Sequence, residues 1–289
     1  MAIMENKIYP TIKNSIFLCL LLFGALIGAI LLITIFEAIF NFSDDSLLAA
    51  ILSILTNITA FGIILTVGFK KTKRKFNEVF KFNRVSAFLW IAIIVFTIGF
   101  IIVTSEMDNL LCYFLPKPET YNDVYKKTAK QTLIIAIISL GIIPAVGEEM
   151  FFRGLILDGL KTNYSKTKAI LISAFLFGIV HLNPWQFLLT FTMGLFSAWI
   201  CIETNSILLS IYIHFFNNTF STIMLKYKDL IPTSDFNDDL NTSVTFQPLW
   251  LDLTGLAILT IGIIMLIKGF KKPKLASNSF CTYLMVLVF

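Results

Sequence analysis

The chain has 289 residues, of which 57% are hydrophobic and 14% are charged, and its formal net charge is +5. An ordinary soluble domain carries about 25% charged residues. The composition therefore excludes a soluble globular protein, a disordered chain and a nucleic-acid-binding protein. It predicts a polytopic membrane protein, and the length allows about eight helices of roughly 20 residues each.

Apolar segments along the chain predict an all-α fold of about eight transmembrane helices, arranged as a bundle with a polar cavity inside the membrane. The predicted spans are residues 16–40, 47–69, 86–104, 132–158, 169–181, 185–202, 207–225 and 249–267. An Asn183-Pro184 break separates the fifth span from the sixth. The last apolar stretch is too short to cross a bilayer, and we assign no function to the tail 277–289.

Basic residues predict the orientation of these spans. Seven Lys and Arg residues lie at 70–84, between the second and third spans, and such loops face the cytoplasm. Alternation of the spans then predicts a multi-pass membrane protein with both termini in the cytoplasm. The Lys-, Ile-, Asn- and Phe-rich composition suggests that the membrane is that of a bacterial cell. The loop 70–84 is predicted to face lipid headgroups. We divide the chain into N-terminal helices at 1–130, a core at 131–225 and a C-terminal part at 226–289.

Ionisable residues within a membrane span are costly and mark candidate functional sites. The fourth span contains Glu148, Glu149 and Arg153. Glu149 and Arg153 are four residues apart, in the order that favours an ion pair on a helix. Because Arg153 can neutralise Glu149, Glu148 is left without a local cation and is a candidate general base. A purely structural Glu149–Arg153 pair explains the same spacing equally well.

The chain has two histidines, His181 and His214, and both lie in apolar segments. His214 and Asn218 share one helix face at i and i+4. An imidazole and a carboxamide on one face can donate two hydrogen bonds to a single oxyanion. From the helical rise, Glu148 and both histidines lie about 12–18 Å from the cytoplasmic ends of their spans. These side chains are therefore predicted to share one layer within the membrane.

Three motifs follow one another along successive spans. They are Glu148-Glu149-x-x-x-Arg153, Phe177-x-x-x-His181 and His214-x-x-x-Asn218. In this order they resemble the signature of the CPBP family, and the resemblance covers residues 130–225. This family comprises the CAAX prenyl endopeptidases of the Ras-converting type and the bacterial Abi, bacteriocin-processing and immunity proteins. The resemblance implies an intramembrane endopeptidase of the glutamate type.

The resemblance also implies a role for each catalytic residue. Glu148 would activate the attacking water, and His181 would help to orient that water. His214 and Asn218 would stabilise the oxyanion of the tetrahedral intermediate. The substrate would be a membrane-associated peptide or protein, and the biological role would be bacteriocin processing or self-immunity. The lipid bilayer is the other expected partner, and the oligomeric state is left open.

Three further residues complete the implied site. Glu149 and Arg153 would position the catalytic groups, and Phe177 would line the substrate cavity. No cofactor is favoured, because the chain lacks an HExxH motif and Asn is a poor zinc ligand. Zinc is the alternative cofactor, and its ligands would be Glu148, His181 and His214.

Two other functions compete with a protease. A non-proteolytic bacteriocin-immunity or partner-binding membrane protein could use the same fold, and it would work without the catalytic side chains. A channel or transporter could use the buried polar residues as an ion path. The transporter is least favoured, because no internal repeat is visible in the sequence.

Overall fold

The computed structural model describes residues 7–40, 47–117, 130–227 and 244–271. The tail 277–289 lies outside these ranges. Within them the secondary structure is helical, and nine helices are numbered in chain order. They are α1 (Ile12–Phe40), α2 (Leu47–Thr72), α3 (Phe76–Val79), α4 (Ala87–Phe114), α5 (Leu133–Asn163), α6 (Lys166–Ile179), α7 (Pro184–Thr204), α8 (Leu208–Lys226) and α9 (Leu249–Phe270).

Six helices among the described residues are long and apolar enough to cross a membrane, namely α1, α2, α4, α5, α7 and α9. The protein is therefore an all-α polytopic membrane protein, as the composition predicts. The sequence predicts about eight spans, and six of them meet the requirements of length and hydropathy among the described residues. The two remaining predicted spans, 169–181 and 207–225, form α6 and α8.

Helices α6 and α8 do not meet the requirements for a membrane span, α6 because of its length and α8 because of its hydropathy. Helix α6 has 14 residues, so its length is about 21 Å, against a hydrocarbon core of about 30 Å. Helix α8 has 19 residues, but His214, Asn217 and Asn218 lower its hydropathy. Each of these helices contributes to the histidine motifs, and α8 packs against α5, α7 and α4. The same polar residues that indicate a site thus make α8 a poor lipid-facing span.

Small residues allow the helices to approach closely. A Cβ atom on Gly99 of α4 would lie 2.2 Å from the backbone nitrogen of Leu259 in α9. In the α6–α7 hairpin, a Cβ atom on Gly194 would lie 3.0 Å from Cα of Ala174. Because Gly194 faces α6 beside the second motif, this contact helps to position the site.

The loop before α4 holds the beginning of α8 in place. The backbone N–H of Ile207 donates to the carbonyl of Lys81 at 2.9 Å. Asn83 Nδ2 donates to the carbonyl of Asn205, and Ser206 Oγ donates to the carbonyl of Asn83, both at 2.7 Å. These hydrogen bonds fix the end from which α8 carries His214 into the bundle.

The predicted basic loop 70–84 also contacts the end of α5. Asp158 is buried and forms ion pairs with Arg74, Lys81 and Lys161. Burial lowers the pKa of the Lys81 ammonium, and its hydrogen bond to Asp158 opposes that shift. Two cations of the loop therefore bind a carboxylate of the protein, in addition to any role at the lipid surface.

Candidate active site

Helix α5 carries the two glutamates of the first motif between two π-helical segments, and Arg153 lies in the second of these segments. The segments are Ile137–Ile142 and Met150–Ile156, and Glu148 and Glu149 lie in the α-helical stretch between them. Short π-helical segments are rare and occur frequently at functional sites. A Cβ atom on Gly141 would lie 2.6 Å from Thr219 Oγ1, so α8 packs closely against the first of these segments.

Glu149 lies at the centre of a buried charged cluster. Its Oε1 atom is 3.2 Å from Arg153 Nη1 and 3.1 Å from His214 Nδ1. The contact between Glu149 Oε1 and Arg153 Nη1 is short enough for an ion pair. Its angles are not those of a hydrogen bond. Both Glu149 and Arg153 have fully buried side chains. Arg153 Nη2 also lies 3.4 Å from the carbonyl of Gly194, to which it donates. The Glu149 carboxylate thus joins α5 to α8, and Arg153 joins α5 to α7.

The contact with Glu149 determines the tautomer of His214. A carboxylate only accepts hydrogen bonds, so Nδ1 of His214 carries the proton. The neutral ring then has its lone pair on Nε2, which lies 3.9 Å from Glu148 Oε2. This distance is too long for a direct hydrogen bond and suits a pair of groups bridged by a third atom.

Glu148 differs from Glu149 in its surroundings. The Glu148 side chain is 20% exposed, whereas that of Glu149 has no exposed surface. Oε2 of Glu148 is itself buried and accepts no hydrogen bond from the described residues. Glu148 therefore has an available carboxylate oxygen that faces His214, in a position that is partly open.

The Phe177 ring packs against both histidines. Its centroid lies 5.3 Å from that of His181 and 5.7 Å from that of His214, with the rings nearly perpendicular. The guanidinium carbon of Arg153 lies 4.4 Å from the same centroid, a cation–π distance. Phe177 is fully buried, so it packs beneath the histidines and supports Arg153 instead of lining an open cavity.

His181 lies just beyond the end of α6. Its Nδ1 atom is 2.9 Å from the carbonyl of Phe177, and a carbonyl can only accept, so Nδ1 carries the proton. The lone pair of the neutral ring is then on Nε2. Asn183 ends the turn by accepting hydrogen bonds from the backbone N–H groups of Trp185 and Gln186 at the start of α7.

A known protein family matches the segment that holds these residues. Residues 130–220 match the family described as "Type II CAAX prenyl endopeptidase Rce1-like". The matched segment, residues 130–220, is called the Rce1-like domain below. The resemblance that the three motifs indicate is therefore confirmed.

A curated protein similar to this chain comes from Bacillus subtilis (strain 168) and bears the name "Putative membrane peptidase YdiL". The identity is 37% over 97 residues, which are 32% of this chain and 38% of that protein. The matched part of the chain thus spans well under half of that relative's length. No solved structure matches the chain significantly.

Within the Rce1-like domain, Asn218 bonds to the backbone of α5. Its Nδ2 atom donates to the carbonyl of Leu140, in the first π-helical segment, at 3.0 Å. Asn218 was predicted from the sequence as an oxyanion donor beside His214. One N–H of the Asn218 carboxamide donates to α5. The second N–H takes no part in that hydrogen bond, so the predicted role as an oxyanion donor stays a prediction.

Replacing Asn218 by Ala is expected to lower the stability of the protein by about 1 kcal/mol, the scale of a hydrogen bond between membrane helices. The physical reason is the loss of the donor to the Leu140 carbonyl. The measurement is the midpoint of thermal unfolding in detergent. Asn217→Ala is the matched control, because the Asn217 side chain makes no hydrogen bond to a described residue. Equal midpoints for the two variants would contradict the structural role of Asn218.

The zinc ligands proposed from the sequence do not form a metal site in the Rce1-like domain. Among the described residues, no group of three or more His, Cys, Asp or Glu side chains could hold a metal ion. Glu148 and the two histidines are therefore not grouped as zinc ligands in this structure.

Two further residues of the Rce1-like domain support the site. Ser173 is fully buried and its Oγ atom donates to the carbonyl of Phe152, in the second π-helical segment, at 3.2 Å. Ser173, Phe177 and His181 follow one another at intervals of four residues, so the spacing could have indicated Ser173. Gly194 acts through its backbone carbonyl, which no sequence pattern indicates.

Proposed function

We propose that this protein is an intramembrane endopeptidase of the glutamate type, which hydrolyses a peptide bond of a membrane-associated peptide or protein. The observation that carries the proposal is the partly exposed Glu148 carboxylate facing His214 Nε2 at 3.9 Å, inside an Rce1-like domain. A carboxylate and an imidazole so arranged can bind one water molecule between them.

Glu148 begins the reaction as a general base. It removes a proton from the water, and the resulting hydroxide attacks the carbonyl carbon of the scissile peptide bond. Nε2 of His181, which carries the lone pair of its ring, accepts a hydrogen bond from the same water and orients it. Glu148 later gives its proton to the amide nitrogen, and the carbon–nitrogen bond breaks.

His214 stabilises the negative charge that develops on the carbonyl oxygen. Because Nδ1 already donates to Glu149, Nε2 can donate only when the ring is an imidazolium, so the mechanism needs His214 to carry its second proton before the substrate binds. The Glu149 carboxylate stabilises that imidazolium and fixes its orientation, the role that Asp plays in a Ser-His-Asp triad. The second N–H of Asn218 supplies another donor. Arg153 supplies the counter-charge of the Glu149 carboxylate within the apolar bundle.

The orientation of the site follows from the same proposal. The ends of α2, α5 and α7 and the beginning of α4 lie at one end of the bundle, where Arg74, Lys81 and Lys161 surround Asp158. A concentration of Lys and Arg marks a cytoplasmic end. The site would then lie within the membrane above that end. A role in bacteriocin processing or self-immunity stays a prediction of the sequence resemblance.

The test is a cleavage assay with the full chain in liposomes. The probes are a farnesylated CAAX peptide and an unmodified hydrophobic peptide, with products identified by mass spectrometry. We expect cleavage of at least one probe, unchanged by a chelator and absent with Glu148→Ala. Cleavage that the chelator abolishes would contradict the glutamate mechanism. If the wild type and the Glu148→Ala protein both bound a probe and neither cleaved it, the partner-binding alternative would be favoured.

A further inference from the structure

A groove lies at the beginning of α1, about four helical turns away from Glu149 along α5. Its volume is about 450 Å³, and its walls come from the first residues of the described chain and from the α5–α6 turn. The lining residues are Lys7, Thr11, Ile12, Lys13, Ile16 and Tyr164. None of them belongs to the proposed active site.

The walls of the groove are held together by contacts between distant parts of the chain. Asn163 accepts a hydrogen bond from the N–H of Ile8 at 3.0 Å and donates to its carbonyl at 2.6 Å. Pro10 packs on the end of α5 so closely that a Cβ atom on Gly159 would lie 2.3 Å from Pro10 Cδ. The segment before α1 is therefore fixed against α5, and the groove is already formed.

Three lysines lie in or beside one half of the groove. The ammonium groups of Lys7 and Lys168 lie 5.5 Å and 5.2 Å from the centre of the same Tyr164 ring, and Lys13 lines the groove beside them. None of these three lysines has an ion pair with a carboxylate of the described residues. By contrast, the neighbouring Lys166 pairs with Glu203. Within the described residues, the positive charge of the groove therefore has no carboxylate counter-charge.

The other half of the groove is apolar and continues onto the lipid-facing surface of α1. Ile12 and Ile16 line it, and Leu20 follows on the same helix face at the next i+4 position. Ile16 is 45% exposed and Leu20 is 63% exposed. A ligand that fits both halves must carry an anionic group and an apolar chain.

We propose that this groove binds the headgroup of an anionic phospholipid, with the phosphate near Lys7 and Lys13, which line the groove, and with Lys168 adding positive charge beside the Tyr164 ring. The first acyl carbons then lie along Ile16 and Leu20. Basic residues at the end of a membrane helix attract anionic lipids, and each lysine contributes about a fivefold change in affinity. The binding does not depend on proteolysis, so it can be tested whether or not the protein cleaves a peptide.

The experiment measures binding of short-chain phosphatidylglycerol to the purified full chain in neutral detergent by native mass spectrometry. Short-chain phosphatidylcholine is the zwitterionic reference. We expect the wild type to prefer phosphatidylglycerol, and Lys7→Gln/Lys13→Gln to lower its affinity by about 30-fold. Lys268→Gln/Lys271→Gln is the matched control, because it removes two exposed lysines at the end of α9, outside the groove. The control is expected to bind like the wild type.

Three results would overturn the proposal. The first is an equal affinity of both double variants for phosphatidylglycerol. The second is equal binding of the two lipids by the wild type. The third is displacement of phosphatidylglycerol by inorganic phosphate at comparable concentration, which would identify a site for a free anion. Because all four replaced lysines are exposed, the thermal midpoints of both variants should equal that of the wild type.

Discussion

The Glu149→Gln protein is expected to lose cleavage and also to unfold at a lower temperature than the wild type. Glu149 Oε1 is the acceptor of His214 Nδ1 at 3.1 Å and the counter-charge of Arg153 at 3.2 Å, with both carboxylate and guanidinium buried. Removing one partner of a buried pair leaves an uncompensated charge and costs about 3–5 kcal/mol. The measurements are the thermal midpoint in detergent and the cleavage rate in liposomes.

A double variant separates the structural part of this effect from the catalytic part. Glu149→Gln/Arg153→Met removes both charges, and replacement of a whole buried ion pair by groups of similar volume is often nearly neutral. We expect the midpoint to return most of the way toward that of the wild type. Cleavage should stay absent, because His214 still lacks the carboxylate that stabilises its imidazolium.

The surface pair of Lys166 and Glu203 provides the reference for an ordinary ion pair. The Lys166 side chain is about half exposed, and such pairs contribute at most about 1 kcal/mol. Glu203→Gln is therefore expected to leave both the midpoint and the cleavage rate close to those of the wild type. A Glu149→Gln protein as stable as Glu203→Gln would contradict the buried ion pair.

The helical spacing within two motifs predicts contacts that the structure contains. Glu149 and Arg153 are i and i+4 on α5, and their side chains form the buried pair. Phe177 and His181 have the same spacing, and their rings touch edge to face. Such contacts could be predicted because they lie within one turn of one helix, where geometry is fixed by the backbone.

Contacts between helices could be predicted less well. His214 and Asn218 also share a helix face, but His214 contacts a carboxylate of α5 while Asn218 bonds to the carbonyl of Leu140. A sequence pattern identifies side chains and cannot indicate which backbone carbonyl a π-helical segment makes available. For the same reason the carbonyl of Gly194, which accepts from Arg153, has no sequence signal.

The ends of the helices limited the prediction of the fold. The sequence predicts a span to His181, but α6 ends at Ile179, and Leu182 adopts a left-handed backbone with φ of 48°. Hydropathy alone does not detect this turn, because Val180 and Leu182 continue the apolar run. The charges of the loop 70–84 were also only partly informative. They predict a surface that faces lipid headgroups, but Arg74 and Lys81 form ion pairs with the buried Asp158.

The Glu148→Gln protein is expected to fold like the wild type and to cleave about 10²–10⁴-fold more slowly, the usual contribution of a general base. Glutamine has the shape of glutamate, and Glu148 Oε2 accepts no hydrogen bond from the described residues. Its contact with His214 Nε2 is 3.9 Å long, too long for a hydrogen bond. The substitution therefore removes the base without leaving a buried charge unpaired.

Glu148→Gln and Glu149→Gln make the same chemical change at adjacent residues of α5, so comparing them tests the division of roles directly. Loss of the base at residue 148 should change the cleavage rate and leave the thermal midpoint unchanged, whereas loss of the counter-charge at residue 149 should change both. If both variants lowered the midpoint equally, both carboxylates would be structural. If Glu148→Gln cleaved at the wild-type rate, the base would have to be another group, because a carboxamide cannot accept the proton from water.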